Sequence, residues 1–277
     1  MTTGLVLTAD DLGFEPGTNR VIPELLLEGA ISATTILTIS PYAEDGLAGL
    51  EKVPDAALGV HFAITSDRVR SLRPLADGVS SLVDDAGAFP VDPVEAERGA
   101  RSEHVAAEIE AQIAWVTSRG WKPKRIDSHS GTLYGMHGNP FLSEAFASCV
   151  RHGLGFRMPR GLELYLGGVI PQMLGPMLRG AVKVADQFGV SLPAQMGTNR
   201  ERSVASYGEL RRSYLDLLDR LPENAVSEIF LHPAPDTPSI RAIDWYWQKR
   251  VWELELLRDP VWRRELDRHG VELVPTW

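Results

Sequence analysis

The feature that most constrains this chain is an alternation sustained through most of its length. Apolar segments long enough for a strand fall at residues 5–8, 33–39, 58–64, 125–128, 155–158, 190–192, 227–231 and 271–274. Between them, residues 19–28, 43–52, 104–118, 140–151, 171–187, 207–221 and 244–258 carry apolar side chains at helical spacing. Such an order predicts βα units around a parallel sheet, because parallel neighbours need a crossover connection, usually a helix. A doubly wound open sheet gives the same alternation. The count of strands and the polar strand ends described below favour a TIM-barrel-like (βα)7-8 parallel barrel. No Gly/Ser or Pro-rich linker divides residues 1–277, which predicts a single domain. Residues 66–101 break the pattern with Arg73-Pro74, Asp84-Asp85 and Gly87, too long for an ordinary βα loop, and read as an insertion that covers the substrate.

Composition narrows the partners. A net charge of −9 with no basic cluster argues against nucleic acid, which needs a concentrated Lys/Arg surface. No apolar run reaches the roughly 20 residues of a membrane span, and the start lacks a basic segment followed by an apolar core, so the expected location is cytoplasmic with no membrane partner. The single cysteine, Cys149, lies in FASCVRHG on what reads as the apolar face of a helix and is expected to be buried.

The chemistry concentrates where apolar segments end. LVLTADDLG closes a strand with Asp10 and Asp11 before Gly13; LGVHFAIT ends around His61; RIDSHSG brings Asp127 and His129; SEIFLHPA brings Glu228 and His232 before Pro233. Parallel α/β folds gather functional groups at the carboxyl ends of strands, so four polar ends imply one site. Of the seven histidines, His104, His152 and His269 fall on helices or a helix-ending turn, His137 sits in a Gly-flanked loop, and the other three are strand-terminal. Two imidazoles and one carboxylate leave open positions on a divalent ion, as a catalytic site requires. A carboxylate outside the ligand set can take a proton from water and an imidazole opposite can protonate a leaving amine. Asp10 and His232 suit those roles.

These motifs resemble the YdjC/ChbG carbohydrate deacetylases, whose pattern has an ADDxG start, a GxH segment, a DSH segment and a late HP segment. Here they stand as Ala9-Asp10-Asp11-Leu12-Gly13, Gly59-Val60-His61, Asp127-Ser128-His129 and His232-Pro233. The likeness extends to Arg73-Pro74-Leu75, to SLVDDAGAF and to Glu108 with Gln112. It implies a TIM-barrel-like fold and a metal-dependent hydrolase that removes an N-acetyl group from an amino sugar or small oligosaccharide. It further implies one divalent cation, Zn2+ or Mg2+, on Asp11, His61 and His129, with Asp10 as base and His232 as acid. Glu228, on the face of His232 by strand period, is then expected to orient it or a metal ligand. Many relatives carry a second histidine two residues after the DSH histidine; here that position is Gly131, and Tyr134 or His137 is expected to fill the space. Arg73, Asp127, Tyr134, Arg157 and Glu228 are the candidate substrate contacts, with a structural ion pair as the other reading of Arg157. The alternatives are hydrolysis of another amide, an ester or a phosphate, or a non-catalytic sugar-binding relative. Trp245, Tyr246, Trp247 and Trp252 read as core packing or a homodimer interface rather than a sugar platform, with Trp245 and Trp252 on one helix face and Trp247 off it.

Overall fold

A computed structural model describes residues 3–168 and 170–277. Eight strands form one sheet: β1 (Thr3–Leu12), β2 (Ala33–Ile36), β3 (Ala57–Phe62), β4 (Arg125–Ser128), β5 (Gly155–Phe156), β6 (Met196–Gly197), β7 (Val226–Leu231) and β8 (Val271–Leu273). Every pairing is parallel, in the order β5-β4-β3-β2-β1-β7-β6, and β8 pairs with the start of β1. Along β1, Leu5, Leu7, Ala9 and Leu12 are fully buried, as both faces of a helix-covered parallel strand must be. The result is a parallel α/β half-barrel. Among the described residues no ladder joins β5 to β6; the gap is spanned by isolated bonds from the N–H groups of Phe156, Arg160 and Gly161 to the carbonyls of Ser191, Pro193 and Ala194.

That gap corrects the strand expected at 190–192. The segment runs beside β5 without entering a ladder, because Pro193 has no N–H to donate, and the strand forms later, at Met196–Gly197. The helix expected from residue 19 starts earlier, at Pro16–Leu27, where Glu15 and Thr18 form a reciprocal capping box. Helices Pro93–Gly99, Glu163–Leu166, Pro238–Ile243 and Pro260–Arg268 were not legible, the first three being too short for a periodic signal.

Cys149 is buried on helix Leu142–His152, as expected, and burial pushes its thiol pKa up to about 12. The aromatic cluster divides differently from its spacing. Trp247 and Trp252 both pack partly buried against the core, whereas Trp245 precedes the helix Trp247–Leu257 and is 70% exposed. Among the described residues no helix is long and apolar enough to cross a membrane.

Two devices aim the strand ends. Between Ala9↔Thr34 and Leu12↔Ile36, β1 advances three residues while β2 advances two, a bulge of one extra residue. Asp11 sits in it with φ of +71°, so Asp10 and Asp11, which regular pleating would send to opposite faces, are both turned into the interior. The second device is Gly59, where a Cβ would lie 2.9 Å from Thr35 Cγ2 and 3.0 Å from Arg125 Cγ; its bareness lets the buried Arg125 chain cross beside β3.

Candidate metal centre

The register of β3 and β4 sets His61 directly beside Asp127, and their side chains meet at 2.9 Å, His61 Nδ1 to Asp127 Oδ1. In the neutral ring with Nδ1–H donated there, Nε2 carries the lone pair, an arrangement that orients an imidazole toward a metal. That nitrogen lies 3.2 Å from Asp11 Oδ1 and 3.2 Å from His129 Nδ1, and His129 Nδ1 lies 3.3 Å from the same oxygen. Three electron-rich atoms thus converge from β1, β3 and the turn after β4.

Asp11 Oδ1 is buried and meets only these two imidazole nitrogens, with no other hydrogen-bond partner among the described residues. Such an orphaned anionic oxygen is costly unless a cation or proton satisfies it. Burial opposes charge on His61, but the carboxylates of Asp127, Asp10 and Asp11 outweigh it and hold its pKa well above the ordinary value. The cluster attracts positive charge, and its three donors fit a divalent ion with open positions. A second convergence, Asp10 with His61 and Asp127, lies alongside.

Asp10 is not a free carboxylate. Thr35 Oγ1 donates to its Oδ1 at 2.7 Å, while Arg157 Nη1 and Nη2 donate to Oδ2 and Oδ1 at 2.7 and 2.8 Å. Burial alone would raise its pKa, yet the Arg157 guanidinium outweighs that and holds it far below the carboxylate range. The same guanidinium pairs with Asp127 and, at 2.9 Å, with Glu228 Oε1. Arg157, placed just past β5 and 3% exposed, is therefore spent on three carboxylates rather than presented to a ligand. Of its two sequence readings, the structure takes the ion pair.

His232 follows β7 with Nε2 3.9 Å from Asp10 Oδ2. Burial lowers its pKa, so it rests neutral near pH 7. Glu228 does not orient it: that carboxylate accepts from Thr8 Oγ1 at 2.6 Å and faces Arg157 and Arg125, with burial raising its pKa. The residue that reaches His232 is Glu253, whose Oε2 accepts its backbone N–H at 2.7 Å and lies 3.9 Å from its Nδ1. Sequence reasoning missed Glu253 and also Arg250, which donates to Asp11 Oδ2 at 2.7 Å. Both belong to the helix Trp247–Leu257, and their spacing of three on one helical face was the available signal.

The remaining expected residues fall elsewhere. Arg73 is exposed and donates to the Gly87 carbonyl within the 66–101 excursion, with no described bond to the cluster. Tyr134 gives its hydroxyl to the Arg157 carbonyl at 2.7 Å, fixing the chain beyond β5. His137 faces the Ser130 carbonyl at 3.4 Å. Beside Gly131 stand Met136, whose Sδ lies 2.5 Å from where a Gly131 Cβ would be, and Tyr134, whose Cδ2 lies 3.8 Å from it, so of the two expected side chains Tyr134 borders the space. With φ of +72°, Gly131 also follows Ser130 in the left-handed region, a turn that disfavours a side chain there.

Comparison with known proteins points to one family. The YdjC-like protein family model matches residues 4–268. A carbohydrate deacetylase of Geobacillus stearothermophilus is 28% identical over 269 residues, 97% of this chain and 95% of that protein. One from Enterococcus faecalis is 26% identical over 275 residues, 97% and 95% of the two chains. Among solved structures, a protein of Enterococcus faecalis V583 named for cellobiose-phosphate cleavage superposes with a TM-score of 0.82 at 26% identity, covering 99% of this chain and 97% of that one. The chain belongs to the YdjC-like protein family.

Proposed function

We propose that this protein is a metal-dependent hydrolase that removes the N-acetyl group from an amino sugar or small oligosaccharide. The observation that carries the metal is the convergence of Asp11 Oδ1, His61 Nε2 and His129 Nδ1 on one point, with the carboxylate oxygen otherwise orphaned. The carbohydrate and the acetyl group rest on the relatives named carbohydrate deacetylases. Two imidazoles in the donor set suit Zn2+ better than Mg2+, which prefers oxygen ligands. When bound, such an ion polarises an amide carbonyl and lowers the pKa of water toward ~7.

The chain's own groups then divide the proton work. Asp10 stays ionised at every working pH and is the acceptor for a proton from water; Arg157 and Thr35 hold both of its oxygens in place. His232, neutral at rest and 3.9 Å from Asp10, receives that proton from Asp10 and delivers it to the departing amine, so the proton lost by water ends on the amine and both residues return to their starting states. We read the half-barrel and the bonds across its gap as a barrel not fully laddered. Residues 66–101 cover its mouth: Arg68 stacks 3.9 Å from the Trp245 ring centre, and Arg70 donates to the Phe14 carbonyl at 2.7 Å.

Acetate release from N-acetylated oligosaccharides, with and without added divalent metal, tests this reading. Asp11→Asn is expected to lose metal binding, and Asp10→Asn to bind metal while losing about 10²–10⁴-fold in rate. Full activity in both variants, or turnover of esters or phosphates with none of N-acetyl sugars, would replace it with another hydrolysis.

A further inference from the structure

The two oxygens of Asp11 are treated differently by the fold. Oδ1 faces only the two imidazole nitrogens, whereas Oδ2 takes a 2.7 Å hydrogen bond from Arg250 Nη1. Arg250 lies 239 residues away in the chain, and its guanidinium is fixed on several sides. Its Nε donates to Asp244 Oδ2 at 2.5 Å, and its plane lies 4.8 Å from the centre of the Phe14 ring, itself 6.5 Å from that of His129. Its carbonyl accepts the Ala234 N–H at 3.2 Å, tying the helix to the turn just after His232. A planar guanidinium with two edges committed to two carboxylates cannot swivel without breaking one of them.

We propose that Arg250 is a positioning residue that makes Asp11 a one-oxygen ligand. By occupying Oδ2 it removes the bidentate mode open to a bare carboxylate, points Oδ1 at the ion shared with His61 and His129, and leaves coordination positions for water and substrate. Asp244 is the second half of the device, since it sets the rotation of the guanidinium and offsets the positive charge that would otherwise repel the ion. This role rests on the functional reading above, because it presumes that the three convergent atoms bind a metal.

Calorimetric titration of metal-stripped protein with Zn2+, and absorption spectra after loading Co2+, test it without recourse to turnover. Arg250→Met, shown folded by circular dichroism, is expected to bind Zn2+ about 10–100-fold more weakly and to give a changed Co2+ spectrum as Asp11 becomes free to use both oxygens. Arg250→Lys retains the charge but not the fork and is expected to recover only part of the affinity. Asp244→Asn is expected to weaken binding in the same direction and less, and it carries the test with Arg250→Lys if the Met variant does not fold. Unchanged affinity and spectrum, tighter binding on losing the positive charge, or full recovery by Lys would each overturn the proposal. Wild-type protein that binds no divalent ion would instead overturn the metal-dependent reading itself, so the two failures are told apart.

Discussion

Replacing Arg157 by Met removes the guanidinium that makes close ion pairs with Asp10, Asp127 and Glu228 together. In the native chain this guanidinium makes two bonds to Asp10 at 2.7 and 2.8 Å, one contact to Glu228 at 2.9 Å and one to Asp127, all with side chains 4% exposed or less. The nearest remaining positive groups are His61, 2.9 Å from Asp127, and Arg125, 3.8 Å from Glu228. Breaking a buried pair by removing one partner costs about 3–5 kcal/mol, and three carboxylates put this site at the upper end. For a domain of this size that corresponds to a fall of about 5–9 °C in melting temperature. The sign of the pH dependence follows from the shifts. Asp10 has a depressed pKa in the folded wild type, so its stabilisation is present above the unfolded value near ~3.9 and lost as pH falls through the folded one. In Arg157→Met that contribution is gone and the carboxylates titrate upward, so the gap between the two proteins is widest at pH 7 and narrows toward pH 5. Thermal and urea unfolding at both pH values measure it. A folded variant melting within about 2 °C of wild type, or a gap that widens at pH 5, would refute the reasoning. Adding Glu228→Gln to Arg157→Met removes one uncompensated charge and is expected to restore about 1–2 kcal/mol.

Gly131→Ala is expected to lose about 1–2 kcal/mol in thermal unfolding, chiefly from the left-handed backbone; Met136→Ala in the same chain relieves only the contact with its sulfur. Glu108 accepts the N–H groups of Leu75 and Ala76 and the Gln112 amide, so Glu108→Ala is expected to speed tryptic cleavage at Arg68 and Arg70, read by mass spectrometry; an unchanged cleavage rate would deny the tether. With its pKa at about 12, Cys149 is expected to resist Ellman's reagent in native protein and to react once denatured.

The order of the motifs along the chain was enough to place Asp11, His61 and His129 at one end of a parallel sheet. Period and strand-end position are local properties, and the crossover rule converts them into a shared face without any long-range information. The same local logic explains why Cys149 was legible as a core residue: its helix advertises its apolar face. Local logic fails for Asp10 and Asp11 together, because strand period assigns them to opposite faces, and only the offset between β1 and β2 with a left-handed Asp11 turns both inward. It fails again for the charges around the ligands. Arg157 is 147 residues from Asp10 and Arg250 is 239 from Asp11; no spacing rule reaches that far, and a buried ion pair depends on which side chains the fold sets face to face. Glu228, read from strand period as a partner of His232, was drawn instead to Thr8, Arg125 and Arg157, while Glu253 took that place from a helix near the other end of the chain. The sequence by itself determined which groups stand at the strand ends. Tertiary structure decided which oxygen of each carboxylate is left for a metal, because that depends on cations brought in from distant segments and on the dielectric that burial creates around them.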